Sequence, residues 1–70
     1  MTIRLTPREY EVLARITLSE YDIANELTIS VHSVRQYTSH IYRKLNAHNK
    51  AQAVIKALRY ELIDLYNFRL

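Results

Sequence analysis

The 70-residue sequence contains no glycine and a single proline, Pro7. Because linkers, phosphate-cradling loops and low-complexity sequence are rich in glycine or proline, the scarcity of both residues argues against all three. The alternation of apolar and polar residues that indicates a half-buried strand is also missing, and good helix formers dominate. The sequence therefore predicts an all-α fold, and its length predicts one domain over residues 1–70.

A domain of this size is marginally stable, since it buries only about 60% of the surface of its unfolded chain. The chain has no cysteine, which excludes disulfides and thiolate metal sites. Its three histidines, His32, His40 and His48, are too scattered for a metal site, and we expect no cofactor. No residues form a recognisable nucleophile arrangement, so we expect no enzyme. A second copy of the chain is the remaining source of stability, which favours a homodimer.

The charges are distributed unevenly along the chain. Residues 30–60 carry no acidic side chain and six basic ones, Arg35, Arg43, Lys44, Lys50, Lys56 and Arg59. A basic segment without acids is typical of a protein that binds a polyanion. A solvated basic face explains the same pattern, and charge alone does not decide between the two.

Helix-start signals occur four times. Thr6 is a suitable N-cap, Pro7 fits the first helical position, and Glu9 completes a capping box. The other three segments follow further N-cap residues, Ser19, Ser30 and Asn49. Together with the apolar periodicity, these signals predict helices over about residues 7–16, 20–27, 31–45 and 50–64.

Three residues, 28–30, join the second and third predicted helices, which is the arrangement of a helix-turn-helix over about residues 20–39. In this motif the second helix places its side chains against base edges in the major groove of DNA. One face of the third predicted helix is apolar, and the opposite face carries His32, Arg35, Gln36, Ser39 and Arg43. Arginine can form two hydrogen bonds with guanine, and glutamine can form two with adenine.

The fourth predicted helix is apolar over much of its circumference, which indicates burial on more than one side. We expect residues 50–70 to form the dimer contact, through Ile55, Leu58, Leu62 and Tyr66. The alternative is that the tail, residues 65–70, folds back on its own chain.

Several short motifs follow one another in order. They are Leu5-Thr6-Pro7-Arg8-Glu9, Glu11-Val12-Leu13, Asp22-Ile23-Ala24, Ile29-Ser30, Ser33-Val34-Arg35, Ile41, Lys44-Leu45, Asn49-Lys50 and Gln52-Ala53-Val54. This set resembles the LuxR/GerE family of response-regulator DNA-binding domains over about residues 4–63. The resemblance implies a four-helix helix-turn-helix domain of the winged-helix-like, LuxR C-terminal type, whose fourth helix often forms the dimer contact.

Carried over residue by residue, the resemblance implies base contacts by Arg35, Gln36 and Ser39. It implies phosphate contacts by Ser33, Arg43, Lys44, Asn49 and Lys50. The chain has Tyr37 where the family usually has a histidine, and we expect this tyrosine to be a packed side chain. It also has Asn46 where the family has a glycine, and it lacks the glycine expected near Glu61, which predicts that the fourth helix continues towards Tyr66.

These observations predict a dimeric bacterial transcription regulator that binds a palindromic site in double-stranded DNA, with half-sites about 10 base pairs apart. A second hypothesis is an interaction protein that pairs through its fourth helix with a related full-length regulator. A third is the promoter-binding end of a sigma factor, which would bind RNA polymerase, but the fourth-helix motif argues against it.

No apolar run approaches the roughly 20 residues of a membrane span, and the N-terminus lacks the apolar stretch of a signal peptide. We therefore expect no membrane partner and a cytoplasmic, nucleoid-associated protein. If the 70 residues are complete, we expect that no input signal enters through this polypeptide.

Overall fold

The computed structural model describes residues 3–63, which form four α-helices and no strand. In chain order the helices are α1 (Pro7–Ala14), α2 (Glu20–Leu27), α3 (Val31–Leu45) and α4 (Lys50–Arg59). The longest of them, α3, packs against each of the other three. The predicted all-α, four-helix fold is therefore confirmed. No helix in the described residues is long and apolar enough to cross a membrane.

Each helix begins at the predicted N-cap, because a side-chain oxygen there accepts a backbone N–H that the helix leaves unpaired. The hydroxyl of Thr6 accepts from the N–H of Glu9 at 3.2 Å, and the Glu9 carboxylate accepts from the N–H of Thr6 at 2.8 Å. These two bonds are the predicted capping box. The other caps accept in the same way from the N–H three residues later, and they are Ser19, Ser30 and Asn49.

Three of the four helices in residues 3–63 are followed by a left-handed residue that is not the usual glycine. The residues with positive φ are Thr28 (56°), Asn46 (55°) and Glu61 (58°). The N–H of the residue after each one bonds to the carbonyl five positions earlier: Ile29 to Ala24 (3.0 Å), Ala47 to Tyr42 (2.8 Å) and Leu62 to Ala57 (2.9 Å). These are Schellman motifs, and they satisfy carbonyls that the helix end would otherwise leave unpaired.

The predicted end of the first helix, residue 16, is wrong. After Ala14 the N–H groups of Arg15 and Ile16 bond to carbonyls only three residues back, which tightens the chain into turns. Ile16 is nevertheless buried, at 2% exposure. The apolar pattern therefore extends beyond the helix, because a residue in a turn can also point into the core.

The predicted end of the fourth helix, residue 64, is also wrong, as is its continuation towards Tyr66. The helix ends at Arg59, and the left-handed Glu61 turns the chain. Leu62 and Ile63 then pack against the core of their own chain. Burial of these two side chains thus takes the place of further helix, whereas Tyr66 and the rest of the tail lie outside the described residues.

The core lies between the inner face of α3 and the other helices. Its fully buried side chains include Val12, Leu13, Val34, Ile41, Leu45, Ala53 and Ala57. Because α3 buries one face in this core, its opposite face is exposed to solvent and is held in place by the packing of the buried face.

Candidate nucleic-acid interface

The connection between α2 and α3 is the three-residue turn 28–30. Ile29 is half-buried and packs against the core, while Ser30 caps α3. The turn is therefore fixed at its apolar residue and at the start of the following helix. Together, α2, the turn and α3 have the organisation of a helix-turn-helix.

The two faces of α3 differ as the sequence predicts. Val34, Ile41 and Leu45 are buried, whereas the opposite face is exposed and carries His32, Arg35, Gln36, Ser39 and Arg43. With 3.6 residues per turn and a rise of about 1.5 Å per residue, these positions form one polar surface along the helix. The half-buried Tyr37 packs against the core, as expected.

Arg35 has an acidic partner that the sequence analysis missed. Its Nε donates to Oε2 of Glu20, the first residue of α2, at 2.7 Å, and both side chains are exposed. The hydrogen bond with Glu20, followed by the attraction of its charge, raises the pKa of the Arg35 guanidinium. The ion pair links the two helices of the motif across 15 residues of sequence.

Lys44 forms an ion pair with a buried carboxylate of its own chain. Its Nζ donates to Oε1 of Glu9 at 2.7 Å, and the Glu9 side chain is only 4% exposed. Nδ1 of His40 lies 3.9 Å from the other carboxylate oxygen. Burial raises the pKa of Glu9, but the hydrogen bonds from Lys44 and Thr6 outweigh it and leave the pKa lowered. Lys44 thus stabilises a buried carboxylate that joins α1 to the end of α3.

Among the other residues with an implied phosphate contact, Ser33 bonds to the N-cap of α3, and Asn49 is itself the N-cap of α4. The hydroxyl of Ser33 accepts from that of Ser30 at 3.0 Å, and the carboxamide oxygen of Asn49 accepts from the N–H of Gln52 at 2.9 Å. Arg43 and Lys50, by contrast, are exposed and form no ion pair within residues 3–63.

A cleft of about 350 Å³ lies where α2, α3 and the start of α4 meet. Arg35, Ser39 and Lys50 line it, together with Glu20 and the half-buried Tyr42. The structure thus brings one residue implied in phosphate contact, Lys50, close to two implied in base contact. Burial raises the pKa of the Tyr42 hydroxyl above its ordinary value.

The sequence model of the family described as bacterial regulatory proteins, luxR family (GerE), matches residues 4–57. The chain belongs to the LuxR family. No curated protein and no solved structure matches it in the corresponding comparisons. The matched region contains α1, α2, α3 and most of α4. Domains of this family are DNA-binding transcription regulators rather than enzymes, in agreement with the helix-turn-helix and its polar outer face.

In this LuxR-family domain, the residues predicted to form a dimer contact do not share one environment. Ile55 of α4 is 56% exposed. Tyr60, which is outside the predicted set and follows the helix, is 49% exposed. Leu58 and Leu62 are half-buried and pack partly against the core of their own chain. Among the members of the predicted set that lie within residues 3–63, Ile55 therefore has the apolar surface most available to another molecule.

Proposed function

We propose that this LuxR-family domain is a homodimeric transcription regulator that reads a palindromic DNA site with α3 in the major groove. The observation that carries the proposal is that α3, which follows the turn of a helix-turn-helix, has a buried apolar face and an exposed polar face. Arg35, Gln36 and Ser39 lie on the exposed face and have the hydrogen-bonding groups that base edges require.

Phosphate contacts in this proposal come first from Arg43 and Lys50, whose charges are unpaired within residues 3–63. The N-terminal amides of α3 and α4 provide further donors, as do the side chains of Ser33 and of the N-cap Asn49. Lys44 contributes only if its ammonium group also reaches a phosphate from its position beside Glu9.

The proposed dimer contact lies on α4 around Ile55, with Leu58 and Leu62 at its inner edge. A side chain as apolar and exposed as Ile55 gains free energy when a partner covers it. A twofold dimer presents two copies of α3, which matches half-sites about one helical turn apart.

Selection of bound duplexes from a random pool tests sequence recognition. We expect a palindromic winner that binds at least about 10³-fold more tightly than scrambled DNA at moderate salt. Uniform weak binding that disappears as salt is raised would contradict the proposal, since such binding needs only phosphate contacts.

Two substitutions separate base contact from phosphate contact. Arg35→Ala should cost about 1–3 kcal/mol on the selected site and relax the sequence preference at one position. Lys50→Ala should weaken binding to selected and scrambled DNA by about the same factor and reduce the salt dependence. An equal loss on every sequence for Arg35→Ala would assign that residue to phosphate alone.

Ile55→Gln tests the dimer contact without changing the net charge. We expect a monomer by sedimentation and weaker binding to the full palindrome, with binding to an isolated half-site unchanged. Tyr10→Gln is the matched control, because Tyr10 is 36% exposed on α1 and is not part of the proposed contact. A dimer that survives Ile55→Gln would refute this contact.

Pairing with a related regulator is the second candidate, and the exposure of Ile55 and Tyr60 favours it as well. Mixing the chain with such a regulator and measuring the size of the complex distinguishes the two. A homodimer that does not exchange subunits with the regulator supports the first candidate, whereas a mixed dimer that loses the palindromic site supports the second.

A further inference from the structure

Glu20 occupies a position where a negative charge is unexpected. It is the first residue of α2, and in a helix-turn-helix this helix crosses the DNA backbone. The Glu20 carboxylate is 46% exposed. In that arrangement it would lie close to the phosphates of a bound duplex. Its partner within the protein is Arg35, the arginine of the proposed base-reading face.

Glu20 accepts a hydrogen bond from Nε of Arg35, and this restricts how Arg35 can bind other groups. A guanidinium has five N–H donors, one on Nε and two on each terminal nitrogen. The bond from Nε to the carboxylate, at 2.7 Å, uses the donor on the side of the fork. The two terminal nitrogens remain, and as a pair they match the O6 and N7 acceptors of guanine.

We propose that Glu20 is a positioning residue for Arg35, which directs the end of the guanidinium to a guanine and keeps it from a phosphate. The proposal rests on the function proposed above, in which Arg35 contacts a base. It adds the class of base and the geometry of the contact, which is through the terminal nitrogens and not through Nε.

The charge of Glu20 works in the same direction as its hydrogen bond. Paired with a carboxylate, Arg35 attracts phosphates less, so its contribution to general DNA affinity falls. The hydrogen bonds from Arg35 to a base edge depend on the position of its donors more than on its net charge. They therefore persist when Arg35 is paired with Glu20. The pair therefore lowers binding to all sequences and raises the difference between a site that contains guanine and one that does not.

The ion pair has little to do with the stability of the free domain. Exposed pairs contribute little because solvent screens them and two long side chains must be ordered. When DNA covers the pair, water leaves and the same interaction strengthens. Its effect is therefore expected in recognition and not in unfolding.

Glu20→Gln tests the proposal, because it removes the charge and keeps the size of the side chain. Glu26→Gln is the matched control: Glu26 lies on the same helix and pairs with Arg15, outside the polar face of α3. Both variants and wild type are titrated with the selected duplex, with scrambled DNA, and with duplexes in which each guanine is replaced in turn.

We expect Glu20→Gln to bind scrambled DNA several-fold more tightly and to lose about tenfold of the preference for one guanine. Glu26→Gln should keep that preference. In the Arg35→Ala background, Glu20→Gln should leave the guanine preference unchanged, because the residue it positions is gone. Glu20→Gln should keep the melting temperature of wild type, because exposed ion pairs contribute little to stability. A cooperative thermal transition for each variant shows that it is folded.

A uniform gain for Glu20→Gln on every sequence would overturn the proposal, since Glu20 would then act by charge alone. This outcome leaves the proposed function standing, because wild type would still prefer its selected site. If wild type itself shows no sequence preference, the proposed function fails, and the role of Glu20 fails with it.

Discussion

Replacement of Lys44 by methionine tests whether this lysine stabilises the fold through Glu9. The substitution keeps an unbranched side chain and removes the ammonium group that donates to Glu9 at 2.7 Å. The Glu9 carboxylate is 4% exposed and keeps one strong donor, the N–H of Thr6 at 2.8 Å. The variant therefore leaves a buried charge with less compensation than it has in the wild-type protein.

The magnitude follows from the burial of the two partners. Removing one partner of a fully buried ion pair costs about 3–5 kcal/mol. Lys44 is 38% exposed, so water can partly replace it, and the cost should be nearer about 2 kcal/mol. For a domain of this size each kcal/mol lowers the melting temperature by roughly 4–8 °C. We therefore expect a drop of about 8–16 °C for Lys44→Met.

Thermal unfolding followed by circular dichroism measures this loss, with Arg43→Met as the control. Arg43 precedes Lys44, carries the same charge and is exposed without an ion pair in residues 3–63. A change at such a surface position is usually within about 0.5 kcal/mol. Equal melting temperatures for the two variants would refute a stabilising role for the Lys44–Glu9 pair.

The pH dependence gives an independent check. The pKa of Glu9 in the folded protein lies below its ordinary value of 4.5, because the bonds from Lys44 and Thr6 outweigh the effect of burial. The unfolded chain then takes up the proton first as pH falls. The stability that Glu9 contributes is present above pH 4.5 and is lost as pH falls below it through the folded pKa. The difference in stability between wild type and Lys44→Met should shrink over the same range.

The remaining predictions concern helix ends and are measured by urea or thermal unfolding. Thr28→Asn should stabilise the domain by about 1 kcal/mol, because a β-branched residue is strained in the left-handed conformation that asparagine tolerates. Asn46→Thr makes the opposite change at an equivalent position and should destabilise by a similar amount. Glu61→Gly should leave the stability about unchanged, because relief of strain at the positive φ offsets the greater entropy of glycine in the unfolded chain. A clear loss of stability would contradict a left-handed conformation at this residue. Asn49→Ala should cost about 1 kcal/mol, since it removes the N-cap of α4.

Helix starts in this chain could be predicted because their determinants are local. The Thr6 hydroxyl and the Glu9 carboxylate are three residues apart, and the same spacing joins each of the other caps to the backbone N–H that donates to it. The bounds of α2 and α3 agree with the prediction for this reason, together with the periodicity of their buried residues.

The ends of the first and fourth helices were harder to predict, because neither glycine nor asparagine follows them. The apolar periodicity of α1 continues to Ile16 and that of α4 continues to Leu62, although both residues follow the end of the helix. They are apolar because they pack onto the core from a turn. A residue needs no helix to be buried, and whether the core accepts it from another direction depends on contacts that are distant in the sequence.

The sequence predicted which residues share the polar face of α3, but it did not predict their ion pairs. Helical spacing alone gathers Arg35, Gln36 and Ser39 on one side of α3. The acids that bind its cations come from elsewhere: Glu20 is 15 residues from Arg35, and Glu9 is 35 residues from Lys44. The charge count of residues 30–60 therefore overstates the free positive charge, since it omits acids that folding brings to the same surface.

The position of α3 at the centre of the fold bears on how this domain can acquire new targets. Its inner residues hold the other three helices, while its outer residues contact the core little. Substitutions at positions 32, 36, 39 and 43 can therefore accumulate with small effects on stability. One helix supports the fold and carries the proposed readout on separate sides. Randomising its outer side should yield folded proteins with many different sequence preferences.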